Sequence, residues 1–349
     1  MTSTPRGHGC RSAPAVAALA SACARPAWLL AWLFAACATL AATGALAASE
    51  AAEFFRGKRL VYIVPTKPGG GYDAYARLIA RHLPKHLPVK TVEVRNVPGA
   101  SHLIGLQQLF TAPPDGLTLG TFNSGLLYAQ INRAEGMNRD LRELSWIGKA
   151  ASDARVFVVG AHTGIVSVEQ LRRGGRTLHL ATSGKSSASN YETGMVIRLL
   201  GLDAATVHGF VGTEAELAVM RGDIDGLLGY HSALRDFVEQ GHGRILFRIG
   251  AGPAELAAVP ELGSLLPAPE AQRFIELAAA QASLGRLTVA PPGVPPERLA
   301  VLREAYLGTL ADPGLLREAA AMKLPIEPLD GAAVQERISR LLAPAAPAP

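Results

Sequence analysis

The chain has 349 residues and a formal net charge of +5, which on its face suits a polyanionic partner. Three of its 34 basic residues (Arg6, Arg11 and Arg25) and none of its 29 acidic ones precede residue 48, so the remainder carries only +2 and nucleic acid is set aside as a partner. All three cysteines (Cys10, Cys23 and Cys37) lie in the same stretch, which excludes a disulfide scaffold, thiol catalysis and a cysteine-based zinc site from everything after it.

Residues 26–49 contain no charge, their most apolar part runs over 28–40, and Ala45-Leu46-Ala47 offers an A-x-A cleavage site. Basic residues, an apolar run and small residues in that order predict a signal peptide over 1–47 and an exported, periplasmic protein. Two other readings are an uncleaved anchor and a lipoprotein modified at Cys37, for which Phe34-Ala35-Ala36 is a poor lipobox.

About 300 residues follow, room for two domains. Strand-like runs fall at 60–64, 91–95, 117–121, 156–159, 177–182, 224–228, 244–249 and 287–290. Helical patterns fall at 73–83, 101–110, 189–200, 214–220, 271–279, 296–310, 313–321 and 331–342. This alternation predicts an α/β fold with parallel sheets covered by helices. Ser101, Ser167, Ser187 and Thr213 are candidate helix N-caps. Residues 343–349 are alanine and proline only and read as an unpacked tail.

The most informative stretch is Pro68-Gly69-Gly70-Gly71-Tyr72-Asp73, between the first strand and the first helix. A glycine turn opening a helix makes a socket for an anion, because the first amides of a helix lack internal partners and carry its positive dipole end. A nucleotide is not implied. Three glycines in a row do not fit G-x-G-x-x-G, and Gly184-Lys185-Ser186, which imitates the end of a phosphate loop, has His179 where the first glycine belongs. A small carboxylate fits better.

Pro-Gly-Gly-Gly-Tyr-Asp-Ala-Tyr-Ala-Arg-Leu (68–78) resembles the opening of the Bug family, the extracytoplasmic receptors of tripartite tricarboxylate transporters, also called TctC-like. Val94–Ala100, Ala112–Leu119, Ala181–Gly184, Val211–Asp225 and Leu287–Pro295 are similar to later family segments in the same order. The resemblance covers residues 54–342. It implies a type II periplasmic-binding-protein fold, two α/β domains with a ligand cleft between them. It places one domain at 53–154 plus 284–342 and the other at 155–283, with crossings near 155–160 and 284–289.

The resemblance also implies the site. Gly70, Gly71 and Tyr72 would present amides to a ligand carboxylate. Asp73 would act through water or accept from a ligand hydroxyl or ammonium, unless it is only a first-turn acid favoured by the helix dipole. Ser101 is either a ligand contact or a helix cap, and His102 reads as a surface residue. Asn123 and Ser124 lie at a strand's carboxyl end, where open α/β folds bind ligands, although the same residues form simple turns. Ser183 and Ser187 would form a second anion socket opposite the first, and Gly212 and Thr213 another strand-to-helix turn that could meet the ligand. Gly229 stands where many relatives carry an aspartate, so an ammonium-bearing ligand is disfavoured and Tyr230 becomes the contact.

The implied function is a periplasmic receptor that delivers a small organic acid (a di- or tricarboxylate, or an aromatic carboxylate) to large and small integral membrane transporter subunits. No cofactor, metal or catalytic residue is expected: the chain has no G-x-S-x-G elbow and no H-E-x-x-H helix. The alternatives are a receptor of the same fold serving a signalling system, and a periplasmic enzyme acting on a carboxylate in the same cleft.

Overall fold

The computed structural model describes residues 49–343 apart from Ser186, Val211, Gly212, Pro267 and Ala268. The signal-peptide reading of 1–47, the lipoprotein reading at Cys37, residue Gly212 and nearly all of the 343–349 tail lie outside the described residues.

Eleven strands are described: β1 (Arg59–Val64), β2 (Thr91–Asn96), β3 (Thr118–Phe122), β4 (Ser145–Lys149), β5 (Arg155–Gly160), β6 (Leu178–Thr182), β7 (Ala204–His208), β8 (Gly226–Tyr230), β9 (Gly243–Ile249), β10 (Leu287–Ala290) and β11 (Leu329–Asp330). They form two sheets, ordered β11-β4-β10-β3-β1-β2 and β7-β6-β8-β5-β9. The α/β reading therefore stands, in the form of two sheets with their helices.

Period-two alternation in the central strands explains why helices cover both faces of each sheet. In β1, Tyr62 and Val64 join one core with Leu78, Ile79 and Tyr306, while Ile63 joins another with Phe122, Trp146 and Ile338. In β5, Phe157 and Val159 pack with Leu180, Phe247 and Phe274, while Val156 and Val158 pack with Val219 and Leu234. All six residues of β5 are buried.

The expectation of parallel sheets is corrected. β1 pairs in parallel with β2 and β3, and β6 with β7 and β8, but β10 is antiparallel to β3 and β4, and β5 to β8 and β9. The reason is connectivity. The chain leaves the first sheet after β4 and returns to it only at β10, so the linking strands meet their neighbours head to tail. The outgoing link is residues 150–154, and 155–160 is wholly a strand of the second sheet. The two links bond to each other: Ala150 N donates to Arg286 O at 2.8 Å and Arg286 N to Ala151 O at 3.0 Å. Among the described residues no helix is long and apolar enough to cross a membrane.

Candidate functional site

The first turn is built around an uncapped helix start. Gly69 takes φ +93°, and Gly70 precedes the helix Gly71–His82 with no side chain capping it. The first-turn amides therefore point outward without an intrahelical acceptor. Asp73 braces this turn: one oxygen accepts from Gly69 N and Arg77 Nε, both at 2.9 Å, and the other from Asn96 Nδ2 at 2.9 Å. Burial pushes its carboxyl pKa up, but the bonds from Arg77, Gly69 and Asn96 outweigh it and hold the group below its ordinary value. A Cβ on Gly71 would lie 2.9 Å from Arg286 Nη2, so glycine there allows a guanidinium to approach the helix start.

The second turn is strained. Gly99, Ala100, Ser101 and His102 take φ of 135°, 43°, 51° and 79°, and the left-handed region costs an L-residue about 1–2 kcal/mol. Ser101 is not the helix cap the sequence suggested. The helix Leu103–Thr111 starts after His102 and has no side-chain cap. Nor is His102 a surface residue. Its ring lies half-buried 6.3 Å from that of Tyr72, its Nδ1 donates to Pro65 O at 2.9 Å, and burial lowers its pKa despite that bond.

In the third turn Asn123 Oδ1 accepts from Gly125 N at 2.8 Å, a local turn bond. Ser124 is fully buried, and its Oγ accepts from Gln281 Nε2 at 2.9 Å. On the second sheet, Ser187 caps the helix Ala188–Leu200, accepting from Asn190 N at 3.2 Å and donating to Gly184 O at 2.7 Å. Ser183 is exposed and its N donates to Ser189 Oγ at 3.1 Å. Thr213 stands at the cap position of the helix Glu214–Arg221 without a side-chain cap bond.

Turns following strands of one sheet meet turns following strands of the other. Lys67 Nζ lies 3.4 Å from Glu214 Oε1, and the Tyr72 and Tyr230 hydroxyls are 3.3 Å apart with rings edge to face. Ser101 Oγ comes within 3.1 Å of where a Gly184 Cβ would stand, and a Cβ on Gly125 would overlap that of Ala188. The carboxyl ends of the strands thus converge on one seam, the place where such folds bind ligands.

Four residues at the centre of this seam were missed in the sequence. Arg286 Nη2 bonds Asp153 Oδ2 at 2.6 Å and Ser232 Oγ at 2.9 Å, and its guanidinium lies 4.9 Å from the Tyr72 ring centroid and 4.8 Å from that of Tyr230. Arg155 pairs with Glu192 at 2.6 Å and stands 4.5 Å from the Tyr230 ring on its own account. Gln281 and Glu192 are fully buried. A usable signal existed for the arginines: each is a charge at the edge of an apolar strand run, and buried charges need partners.

Glu216 lies on the helix Glu214–Arg221. It is half-buried, and burial pushes its carboxyl from 4.5 to about 7. The folded chain then holds a proton that the unfolded chain releases, so stability falls as pH rises from about 4.5 to about 7. Glu216→Gln is expected to match wild type near pH 4 and to be more stable by about 1–2 kcal/mol near pH 8, the full shift being discounted for residual solvent. Urea titrations at the two pH values check this.

These sheets and their order define the class: a periplasmic-binding-protein fold of the two-domain kind. No family model matches the chain. By sequence it is 24% identical, over 261 residues, to a UPF0065 protein of Bordetella bronchiseptica, covering 72% of this chain and 73% of that protein. By structure it superposes on the periplasmic binding protein BugD with a TM-score of 0.66 at 19% identity, covering 82% of this chain and 94% of that one. It superposes on MatC of Rhodopseudomonas palustris, solved with bound malate, with a TM-score of 0.64 at 20% identity, covering 81% and 97%. More particularly, the chain is similar in sequence to a UPF0065 protein and in fold to BugD, in line with the resemblance carried by the motifs from residue 68 onward.

Proposed function

We propose that this chain is a periplasmic solute-binding receptor that captures a small organic carboxylate between its two sheets and passes it to the integral subunits of a tripartite tricarboxylate-type transporter. The observation that supports it is the seam, where an uncapped helix start and the polar turns of both sheets converge. Amides at such a helix start favour an anion and give it directional, charge-assisted bonds. The same fold in MatC holds malate.

In this reading the lobes are 53–154 with 284–342, and 155–283. Gly70, Gly71 and Tyr72 receive one end of the acid, while Ser101, Asn123, Ser124, Ser183, Ser187, Thr213 and Tyr230 line the remainder. Asp73 serves the site by bracing the turn. The leader directs export and is removed, and the chain binds its acid without transforming it.

A thermal-shift screen with mono-, di- and tricarboxylates, aromatic acids and amino acids tests this. An acid at a thousand times its Kd adds about 4 kcal/mol, several degrees for a chain of this length. A shift with one class of acid, recovered unchanged, supports the receptor. No shift with any acid overturns it.

A further inference from the structure

Three groups from different elements converge on one oxygen atom. Tyr72 Oη lies 3.3 Å, Ser124 Oγ 3.3 Å and Gln281 Nε2 3.2 Å from Tyr230 Oη. Tyr72 lies in the first turn of the helix after β1, Ser124 in the turn after β3, Tyr230 ends a strand of the second sheet, and Gln281 sits on the helix that leads back between them. The Tyr230 ring carries the Arg155 guanidinium at 4.5 Å and that of Arg286 at 4.8 Å, each paired in turn with a buried carboxylate, Glu192 and Asp153.

A phenol oxygen accepts two hydrogen bonds and donates one, so three neighbours saturate it. Ser124 and Tyr72 are two of the hydroxyls that the first sheet's side brings to the seam. Both lie 3.3 Å from Tyr230 Oη, and Gln281 Nε2 reaches Ser124 Oγ at 2.9 Å and Tyr230 Oη at 3.2 Å, so an acid oxygen that met Gln281, Ser124 and Tyr72 together would stand where the phenol oxygen stands. The surroundings are meanwhile incompletely satisfied. Gln281 Oε1 and Arg286 Nε are buried and lack hydrogen-bond partners, although Gln281 is fully buried and Arg286 only 4% exposed. Such groups gain from a ligand that brings both acceptors and donors.

Resting on the receptor reading, we propose that the Tyr230 hydroxyl occupies the position of a ligand carboxylate oxygen, so that Tyr230 competes with the acid and sets its affinity, while Gln281 is the residue that hands its amide from the phenol to the ligand. Tyr230 is then a specificity-determining residue that opposes binding, in contrast to a contact that favours it. Acids too weakly accepting to replace a phenol at Gln281 and Ser124 are held out.

Calorimetric titration of the mature protein with malate, and in parallel with adipate, tests this on wild type, Tyr230→Phe and Gln281→Leu. Tyr230→Phe keeps the ring between the two guanidiniums and deletes only the competing oxygen. It is expected to bind about tenfold more tightly than wild type, while Gln281→Leu binds more weakly by about the same factor. Binding by Tyr230→Phe where wild type shows none also supports the proposal. Equal or weaker binding by Tyr230→Phe overturns it and leaves the receptor reading standing. If neither protein binds either acid the proposal is overturned, and if the wider screen is also blank the receptor reading fails with it. Circular dichroism and the melting temperature of each variant confirm that a lost signal is not lost folding.

Discussion

Replacing Arg286 by methionine is expected to destabilise the protein by about 3–5 kcal/mol, because it leaves the Asp153 carboxylate buried without its counter-ion. The side chains of the pair are 3% and 4% exposed and 2.6 Å apart. The residues lie on the two links between the sheets, which also bond through Ala150, Ala151 and the Arg286 backbone. The same guanidinium holds Ser232 and faces Gly71, Tyr72 and Tyr75. Methionine preserves much of the apolar stem but returns none of these contacts. In a chain of this length the loss corresponds to a melting temperature lower by about 10 °C. Thermal and urea unfolding measure it, and Asp153→Asn in the Arg286→Met background should recover part of the loss, as a double-mutant cycle would show. A loss under about 1 kcal/mol would mean that water reaches the pair, as it does for exposed ion pairs.

Gly125→Ala is expected to weaken acid binding by at least about tenfold while leaving the backbone unstrained. Gly125 has φ −63° and ψ −20°, which any residue adopts, so the added methyl acts only through space. Its Cβ would overlap the Cβ of Ala188 across the seam and come within 2.9 Å of Asn123 Oδ1. The turn after β3 and the helix start after β6 must then move apart, and closure of the sheets around an acid is opposed. The radius of gyration from small-angle scattering should rise together with the Kd. Ala188→Gly in the same chain removes the opposing methyl and should restore both. Restoration of neither would place the effect in the Asn123 turn bond, and the seam would not be the closing surface.

Much of the fold was legible because short-range physics wrote it. The apolar runs became β1, β2, β3, β5, β6, β8, β9 and β10 to within a residue or two at most ends, and the helix predicted at 313–321 is Pro313–Ala321. Ser167 and Ser187 cap helices as their spacing suggested. β4 was missed because Ser145-Trp146-Ile147-Gly148-Lys149 carries a glycine and a lysine and lacks a β-branched run. Even so it is wholly buried, between β10 and β11. β7 reads Ala-Ala-Thr-Val-His and is only half-buried at the edge of its sheet, so its hydrophobic signal is faint. Helices 126–131, 168–173 and 231–239 are short, and their packing settles them more than their sequence does.

By itself, then, the sequence determined an α/β chain with room for two domains, a stretch before residue 48 that holds every cysteine and most of the net charge, and a glycine turn that opens a helix. Tertiary structure alone decided the strand directions, because the links at 150–154 and 284–286 set them and no local pattern encodes a link. It also decided the centre of the seam. Arg286 finds Asp153 across 133 residues, Ser124 finds Gln281 across 157, and Tyr72 finds Tyr230 across 158. Spacing along a chain fixes which side chains share a face of one element, but a buried charge chooses its partner only after the elements have packed, when desolvation makes pairing obligatory.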